Sequence, residues 1–232
     1  MTFESDDPRR GIVSYARRSE RITIGQRRAW EQHWPRLGRT LDELSGWIDA
    51  AEWFGRDAPL LVEIGTGMGE TTAALAAAAP EVNYLAVEVY RPGLAQLLKR
   101  AEELGLTNLR LIRGDAVRLL RAHLDAGSLA GVRVFFPDPW PKARHHKRRL
   151  IEPEFVSLAA SRLTTGAALH LATDWEQYAE RMLAVCGAEP LLRNEHPDTG
   201  WAPRPAWRPV TKFEQRAVGE GRAIRDLVFR RV

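Results

Sequence analysis

The chain has 232 residues, of which 44% are hydrophobic and 28% are charged, and its formal net charge is +4 at pH 7. This composition is ordinary for a globular protein, and the length suits one α/β domain with a modest extension. The single cysteine, Cys186, excludes an internal disulfide and a thiolate metal cluster and agrees with a reducing cytoplasm. Because no long apolar run is present, we expect no membrane span and no signal peptide, and we predict a cytoplasmic location.

Residues 1–40 are rich in arginine. The planar guanidinium can donate two hydrogen bonds at once to a phosphate, so one interpretation is an arm that contacts nucleic acid. The alternative is a solvated, partly disordered leader whose arginines pair with acids elsewhere. On either interpretation we predict an arm over residues 1–40 and a single domain over residues 41–232. The arginines of the arm are Arg9, Arg10, Arg17, Arg18, Arg21, Arg27, Arg28, Arg36 and Arg39.

Two helical patterns lie within and just after the arm. Residues 26–34 have the composition of a helix that Pro35 is expected to end, with Trp30 and Trp34 on the face that packs against the body. Residues 41–54 carry apolar side chains at helical spacing and predict a second helix against the sheet.

A strand, a glycine turn and a helix come next. Residues 60–64 are mostly apolar and partly β-branched, which is typical of a strand buried in a parallel sheet. Gly65-Thr66-Gly67-Met68-Gly69 follows, and residues 70–79 are rich in helix formers up to Pro80. This order opens a doubly wound α/β unit, in which a ligand lies beyond the carboxyl end of the first strand. The glycines let the backbone approach that ligand closely.

Acidic residues around the glycine turn indicate which ligand it binds. A dinucleotide fingerprint needs a third glycine at position 70, where Glu70 stands. Glu63 and Glu70 would repel a pyrophosphate and attract a cation. S-adenosylmethionine carries a sulfonium and an ammonium and no phosphate. Residues 83–88 read as a second strand closed by Glu88, where a ribose-binding acid falls. The pattern therefore favours S-adenosylmethionine over a dinucleotide.

A third acid follows the third predicted strand. Residues 91–104 are helical, with Gly105 at the C-terminal cap position, and residues 109–115 form a strand that ends in Asp115. Asp115 is placed to accept a hydrogen bond from an adenine amino group. It is equally natural as the N-cap of a helix over residues 116–124, and both roles are compatible.

The fourth predicted strand, residues 131–136, runs into Pro137-Asp138-Pro139-Trp140. The two prolines restrict the backbone on either side of Asp138 and remove two backbone donors, so a rigid loop holds one carboxylate beside a tryptophan. In a doubly wound sheet that reverses between its first and fourth strands, this loop borders the ligand crevice.

A basic run at residues 142–149 follows this loop directly. Such a run is usually a solvated face or a localisation signal, but its position beside the crevice favours a surface that binds a polyanion. His145 and His146 are adjacent and point apart, and no carboxylate lies at metal spacing, so we expect no metal site.

The remaining chain completes the sheet. Residues 154–163 and 175–186 are predicted helices on either side of a fifth strand at residues 167–173. Residues 189–193 and 223–230 read as two last strands, one of them antiparallel. The stretch between these strands, residues 195–210, is rich in proline and must be a loop. Its tryptophans, Trp201 and Trp207, either stack on a nucleotide or pack the loop down.

Taken together, these motifs resemble the bacterial tRNA (guanine-N7-)-methyltransferase family. The resemblance covers roughly residues 11–232 and rests on Glu-Ile-Gly-x-Gly-Met-Gly at 63–69, Phe-Pro-Asp-Pro-Trp-Pro-Lys at 136–142 with the basic run, and Thr-Lys-Phe-Glu at 211–214. The Trp/Pro-rich loop at 201–209 and Thr66 depart from the family's pattern. The resemblance implies a class I methyltransferase fold, a Rossmann-like, doubly wound, seven-stranded and mostly parallel sheet with one antiparallel strand. It implies methylation of guanine 46 in the variable loop of tRNA at N7.

The resemblance also implies site residues and partners. Asp138 would be the catalytic residue, tRNA the partner, and the protein a monomer or homodimer with no membrane and no obligate protein partner. The residues that would bind S-adenosylmethionine are Glu63, Gly65, Gly67, Gly69, Glu88, Asp115 and Asp138. Those that would bind tRNA are Lys142, Arg144, His145, His146, Lys147, Arg148, Arg149, Asp174, Thr211, Lys212, Phe213 and Glu214.

The chemistry of the target predicts the mechanism. Guanine N7 has a free lone pair at neutral pH, so its methylation needs no general base. We therefore expect Asp138 to act by electrostatics and orientation rather than by proton abstraction. The rival functions are a small-molecule methyltransferase, a non-catalytic RNA-binding module, and a dinucleotide oxidoreductase, which Glu70 disfavours.

Overall fold

The computed structural model describes residues 20–232, apart from the side chains of Lys212 and Phe213. The part of the predicted arm before residue 20 lies outside the described residues. The strands are β1 (Gly38–Thr40), β2 (Leu60–Ile64), β3 (Asn83–Glu88), β4 (Leu109–Arg113), β5 (Leu129–Phe135), β6 (Leu163–Thr173), β7 (Leu192–Asn194) and β8 (Arg225–Arg231). The α-helices are α1 (Ile24–Leu37), α2 (Ala50–Phe54), α3 (Glu70–Ala78), α4 (Arg91–Glu103), α5 (Ala116–Ala122), α6 (Pro153–Arg162), α7 (Glu176–Gly187) and α8 (Lys212–Gly219).

The strands form one eight-stranded sheet in the order β1-β4-β3-β2-β5-β6-β8-β7. Strand β2 pairs in parallel with β3 on one side and with β5 on the other, so the chain reverses its direction of growth at β2. Strand β8 is antiparallel to both β6 and β7. The predicted fold class, a doubly wound and mostly parallel sheet with one antiparallel strand, is confirmed. Because ligands of such sheets bind where the order reverses, the fold points to the carboxyl ends of β2 and β5.

Helices cover the sheet on two faces. Alternate residues of β2 enter different cores, with Val62 in a cluster that includes residues of α2, α5, α6 and α7. Leu61 points the other way, into a cluster with residues of α1, α3 and α4. The chain thus buries both faces of its central strands, which is why residues 60–64 read as an almost continuous apolar run.

The sheet has one strand more than the seven predicted. Strand β1 pairs in parallel with β4 at the sheet edge. Its sequence, Gly38-Arg39-Thr40, has no apolar run, so no local pattern marks it as a strand. Its position depends on α1, which packs against α4 and delivers the chain to this edge.

The two helical predictions near the N-terminus need correction. Pro35 does not end α1, which continues to the buried Leu37. Proline in the last turn removes one hydrogen bond of the helix, and the packing of α1 against α4 holds the helix in spite of this loss. The predicted contact of Trp30 and Trp34 with the body is confirmed, and their rings stack with centroids 4.0 Å apart. In place of one helix over residues 41–54, the chain has a 3₁₀ turn at Leu41–Glu43 and the short α2.

The C-terminal third contains the predicted loop and one helix that was not predicted. Residues 195–210 form a loop with a single isolated bridge between Ala202 and Asp226. Helix α8 follows, and Thr211 caps it by accepting a hydrogen bond from the Glu214 backbone N–H. In the described part of the chain, no helix has the length and apolarity needed to cross a membrane.

Candidate active site

A cleft of about 730 Å³ opens at the carboxyl ends of the central strands. It brings together residues that are far apart in the sequence but end neighbouring parallel strands. Two of the residues predicted to bind tRNA, Asp174 and Thr211, line this cleft, whereas the basic run at residues 142–149 lies outside it. The cleft is lined by every residue predicted to bind the methyl donor: Glu63, Gly65, Gly67, Gly69, Glu88, Asp115 and Asp138.

Glu63 is a buried carboxylate at the end of β2, with 3% of the residue exposed. Its Oε1 accepts a hydrogen bond of 2.9 Å from the Thr72 hydroxyl. Its Oε2 is buried and has no hydrogen-bond partner among the residues that the structure describes. Burial raises the pKa of Glu63 to about 7, although the Thr72 hydroxyl and Arg133 act in the opposite direction. A cation bound beside Glu63 would favour its ionised form.

The glycine turn forms the floor of the cleft. Gly65, Gly67 and Gly69 all have positive φ angles, of 77°, 55° and 73°. A Cβ built on Gly65 or Gly67 meets no atom within 4 Å, so the space above these two residues is open to a ligand. Helix α4 packs closely against the turn at Gly93, where an added Cβ would lie 2.0 Å from the carbonyl oxygen of Gly67.

Glu88, at the end of β3, braces the same turn. Its Oε2 accepts a hydrogen bond of 2.9 Å from the Gly67 backbone N–H. Its Oε1 accepts from the backbone N–H groups of Val89 and Tyr90, at 2.8 and 2.9 Å. The carboxylate therefore fixes the shape of the cleft as well as lining it.

Asp115 follows β4 and caps α5. Its Oδ1 accepts a hydrogen bond of 3.0 Å from the Arg118 backbone N–H. The helix-cap alternative is thereby confirmed. Because Asp115 also lines the cleft, its predicted contact with an adenine amino group stays a prediction.

The loop that carries Asp138 is held in an unusual backbone conformation. Phe136 and Trp140, on either side of the Pro137-Asp138-Pro139 segment, have φ angles of +52° and +45°. Such values are uncommon for aromatic residues and persist only where the surroundings enforce them. Here the Phe136 N–H donates to the Ala172 carbonyl at 2.8 Å, and Arg149 Nε donates to the Pro139 carbonyl at 2.9 Å. The loop is therefore anchored at both ends with Asp138 on the cleft wall.

The basic run forms a short 3₁₀ helix, Ala143–Arg148, beside this loop. The cations of the basic run are exposed except for one, Arg149, which is buried. Arg149 is only 6% exposed and donates to Gln177 as well as to Pro139, so its guanidinium braces the loop from inside. Burial and the surrounding cations lower the pKa of His145. The exposed cations, which we call the basic rim, are Lys142, Arg144, Lys147 and Arg148.

Comparison with known proteins places this arrangement in a family. Residues 57–227 match a family model described as "Putative methyltransferase". The tRNA (guanine-N(7)-)-methyltransferase of Streptomyces coelicolor is 53% identical over 223 residues, which cover 96% of this chain and 82% of that protein. The protein of the same name from Nitrosospira multiformis is 52% identical over 224 residues, which cover 97% of this chain and 96% of that one. The chain belongs to the tRNA (guanine-N(7)-)-methyltransferase family.

The resemblance drawn from the sequence motifs is therefore confirmed. Among solved structures, the 16S rRNA methyltransferase KamB superposes with a TM-score of 0.55 over 84% of this chain and 99% of its own. Sequence identity to it is 17%, so this likeness bears on the fold alone. The fold of this tRNA (guanine-N(7)-)-methyltransferase family member is that of the class I methyltransferases.

The family's Thr-x-Phe-Glu motif occupies two environments. Thr211 lines the cleft and caps α8, and its Oγ1 accepts from the Glu214 N–H at 3.1 Å. Glu214 lies behind the wall, 2% exposed, with its carboxylate paired to Arg204. The side chains of Lys212 and Phe213 lie outside the described residues, so their predicted roles remain predictions.

In this family member, three further residues of the cleft wall were missed by the sequence reasoning. Arg216, Glu220 and Arg222 line the cleft from the side of α8. Arg222 forms ion pairs of 2.8 Å with Asp174 and with Glu220, so Asp174 is tied to the segment that directly follows α8. The pattern Thr211-x-x-Glu214 matches a helix N-terminal capping signal and could have predicted α8 and hence this wall.

Proposed function

We propose that the protein transfers the methyl group of S-adenosylmethionine to N7 of a guanine in tRNA, and that this guanine is position 46 of the variable loop. The observation that carries the proposal is an acid-lined cleft at the switch point of the sheet with a basic rim beside it. The names of the relatives from Streptomyces coelicolor and Nitrosospira multiformis support the same substrate. Position 46 rests on the motif resemblance alone.

The residues of the cleft fit the methyl donor. Bound S-adenosylmethionine supplies an electrophilic methyl group on a sulfonium. Glu63 offers a buried carboxylate oxygen without a hydrogen-bond partner among the described residues, which suits a cationic ligand. Gly65 and Gly67 leave the space above the turn open. Glu88 and Asp115 are proposed to hold the ribose and the adenine.

Asp138 is proposed to stabilise positive charge and orient the target base. As the methyl group moves, positive charge develops on the purine ring, and a fixed carboxylate favours that change. Since N7 needs no deprotonation, alignment of the reacting atoms carries the catalysis, and such alignment is worth about 7–11 kcal/mol. The anchoring of its loop at Ala172 and Arg149 supplies the rigidity that this role requires.

The basic rim is proposed to bind the tRNA backbone, with Asp174 and Thr211 beside the guanine. Three exposed cations in one short helix, together with Lys142 directly before it, provide the charge needed to neutralise phosphates. We propose that the arginine-rich arm at residues 1–40 extends this surface, with its residues 24–40 packed on the domain at residues 41–232 as α1 and β1. In the described part of the arm, Glu20 pairs with Arg113 at 2.8 Å and α1 packs on α4.

The decisive experiment is methylation of an unmodified tRNA transcript in the presence of S-adenosylmethionine. Borohydride reduction and aniline treatment then cleave the RNA at 7-methylguanosine. We expect one cleavage, at position 46, and none in a matched transcript with adenine at that position. Cleavage elsewhere would contradict the position, and methylation of a metabolite but not of tRNA would favour a small-molecule methyltransferase. Failure to bind radiolabelled S-adenosylmethionine would support a non-catalytic RNA-binding module.

A further inference from the structure

Arg208 is buried in the loop between β7 and α8, in an environment that none of the roles above explains. Its side chain is 0% exposed, and it is among the largest fully buried side chains of the described residues. Burial lowers the pKa of Arg208, whereas Asp226 and Glu214 act to raise it. Because a buried charge is costly unless it is paired, the contacts of Arg208 indicate what it holds together.

The first set of contacts reaches the sheet. One terminal nitrogen of Arg208 donates a hydrogen bond of 2.9 Å to Asp226 Oδ2 on β8. The other oxygen of Asp226 lies 2.9 Å from His170 Nε2 on β6. Burial lowers the pKa of His170, although the neighbouring Asp226 acts to raise it. Asp226 is therefore balanced by Arg208, and the guanidinium is anchored to the two strands.

The second set of contacts reaches α8. The same nitrogen of Arg208 lies 3.5 Å from Glu214 Oε1, and Arg204 donates to both oxygens of Glu214. Arg204 also donates to the Arg208 carbonyl at 2.8 Å. Two arginines thus balance two carboxylates behind the cleft wall. Because the Glu214 N–H is bonded to Thr211, this network fixes the first turn of α8 and with it Thr211 on the cleft wall.

The third set of contacts reaches the loop that carries Asp138. The guanidinium of Arg208 lies 5.2 Å from the ring centroid of Phe135 and 5.5 Å from that of Phe136. Phe136 has the positive φ with which this loop begins, two residues before Asp138. A planar guanidinium against both rings therefore restrains the point at which the loop leaves β5.

We propose that Arg208 is a positioning residue that fixes the first turn of α8 relative to the Asp138 loop. The inference rests on the proposed function, because it concerns the two walls between which the base is aligned. Arg208 touches no reacting atom, since its guanidinium is enclosed by Asp226, Glu214 and the two phenylalanines.

Arg208→Lys in the full chain tests the proposal, because lysine keeps the charge and loses the planar guanidinium that lies against Phe135 and Phe136. Arg110→Lys is the matched control. Arg110 is also buried, 7% exposed, but its guanidinium donates to the carbonyls of Trp53, Thr107 and Leu109, and it does not line the cleft. We expect both variants to melt at lower temperature. At saturating donor and tRNA, well below either melting temperature, only Arg208→Lys should lose single-turnover methylation, on the order of 100-fold, with unchanged donor affinity.

Equal methylation rates for wild type and Arg208→Lys, or equal losses in both lysine variants, would overturn the role of Arg208.

A readout independent of activity is amide hydrogen exchange in α8. We expect faster exchange in Arg208→Lys than in wild type or Arg110→Lys, and unchanged exchange would overturn the positioning role alone. Wild-type protein that does not methylate tRNA would instead overturn the proposed function.

Discussion

The Thr72 hydroxyl on α3 donates a hydrogen bond of 2.9 Å to Glu63 on β2, one of the residues that line the cleft. The helix that follows the glycine turn thereby orients the acid that precedes the turn. The other carboxylate oxygen of Glu63 is buried without a hydrogen-bond partner in the described part of the protein, and burial raises the pKa of the group to about 7. The cleft therefore contains an acid whose charge depends on pH in the neutral range.

Donor binding should depend on the ionisation of Glu63. Below pH 7 the carboxyl becomes protonated and no longer attracts a cationic ligand, so affinity for S-adenosylmethionine should fall by up to about tenfold per pH unit. Isothermal titration calorimetry between pH 5.5 and 8.5 measures this. Glu63→Gln is the control, with weaker binding that no longer changes with pH in this range. Wild-type affinity that stays constant over the range would contradict the role of Glu63.

The same group should make stability depend on pH. The folded-state pKa of about 7 lies above the ordinary value of 4.5, so the folded protein binds the extra proton between these values. Its stability should therefore fall as pH rises through this window and level off above pH 7. Urea unfolding of donor-free protein measures the free energy of unfolding. The value for Glu63→Gln minus that for wild type should increase by roughly 2–3 kcal/mol from pH 5 to pH 8. A difference in free energy of unfolding that does not change with pH would contradict this prediction.

Gly93→Ala should distort the glycine turn, because Gly93 on α4 packs directly against the Gly67 carbonyl. The new Cβ would lie 2.0 Å from the Gly67 carbonyl oxygen, so α4 or the turn must move. We expect a destabilisation of about 1–3 kcal/mol and weaker donor binding. Gly187→Ala is matched, because Gly187 is also helical and a Cβ there meets nothing within 4 Å, so it should be neutral or slightly stabilising. Thermal melts and donor titrations compare the two, and normal donor binding in Gly93→Ala would show that the turn tolerates the change.

The basic rim should contribute to tRNA affinity through phosphates. Arg144→Ala and Lys147→Ala should each weaken tRNA binding and reduce the slope of log affinity against log salt by about 1. Donor affinity should not change, because neither residue lines the cleft. Arg121→Ala, which removes an exposed arginine on α5, is the control and should leave the slope unaltered. Filter-binding titrations over a range of salt concentrations provide the measurement, and an unaltered slope in the rim variants would show that phosphates bind elsewhere.

Asp138→Asn should lower kcat without changing the shape of its pH profile. Loss of a preorganised charge at a reacting centre costs on the order of 10²–10³-fold in kcat. The measurement is single-turnover methylation at saturating donor, with a donor titration to verify folding and binding. A single ionisation near neutrality that is present in wild type and vanishes in Asp138→Asn would mean that Asp138 is a general base.

The sequence predicted the central part of the fold because that part obeys local rules. Strands β2 and β3 were predicted with the bounds observed, since buried parallel strands are short apolar runs. The turn at Gly65, Gly67 and Gly69 was evident because positive φ favours glycine. Strand β1, by contrast, is three residues long and exists because α1 delivers it to the edge of the sheet.

Which charged residues face the ligand was decided by tertiary structure. Three acids lie at or just after the ends of neighbouring strands: Glu63, Glu88 and Asp115. Their convergence could be predicted, because parallel strands end at the same edge of a sheet. The sequence by itself did not distinguish Arg149, buried under the Asp138 loop, from its exposed neighbours in the same basic run. Burial and pairing of a charge depend on packing between distant segments, and such contacts leave no periodic signal in the chain.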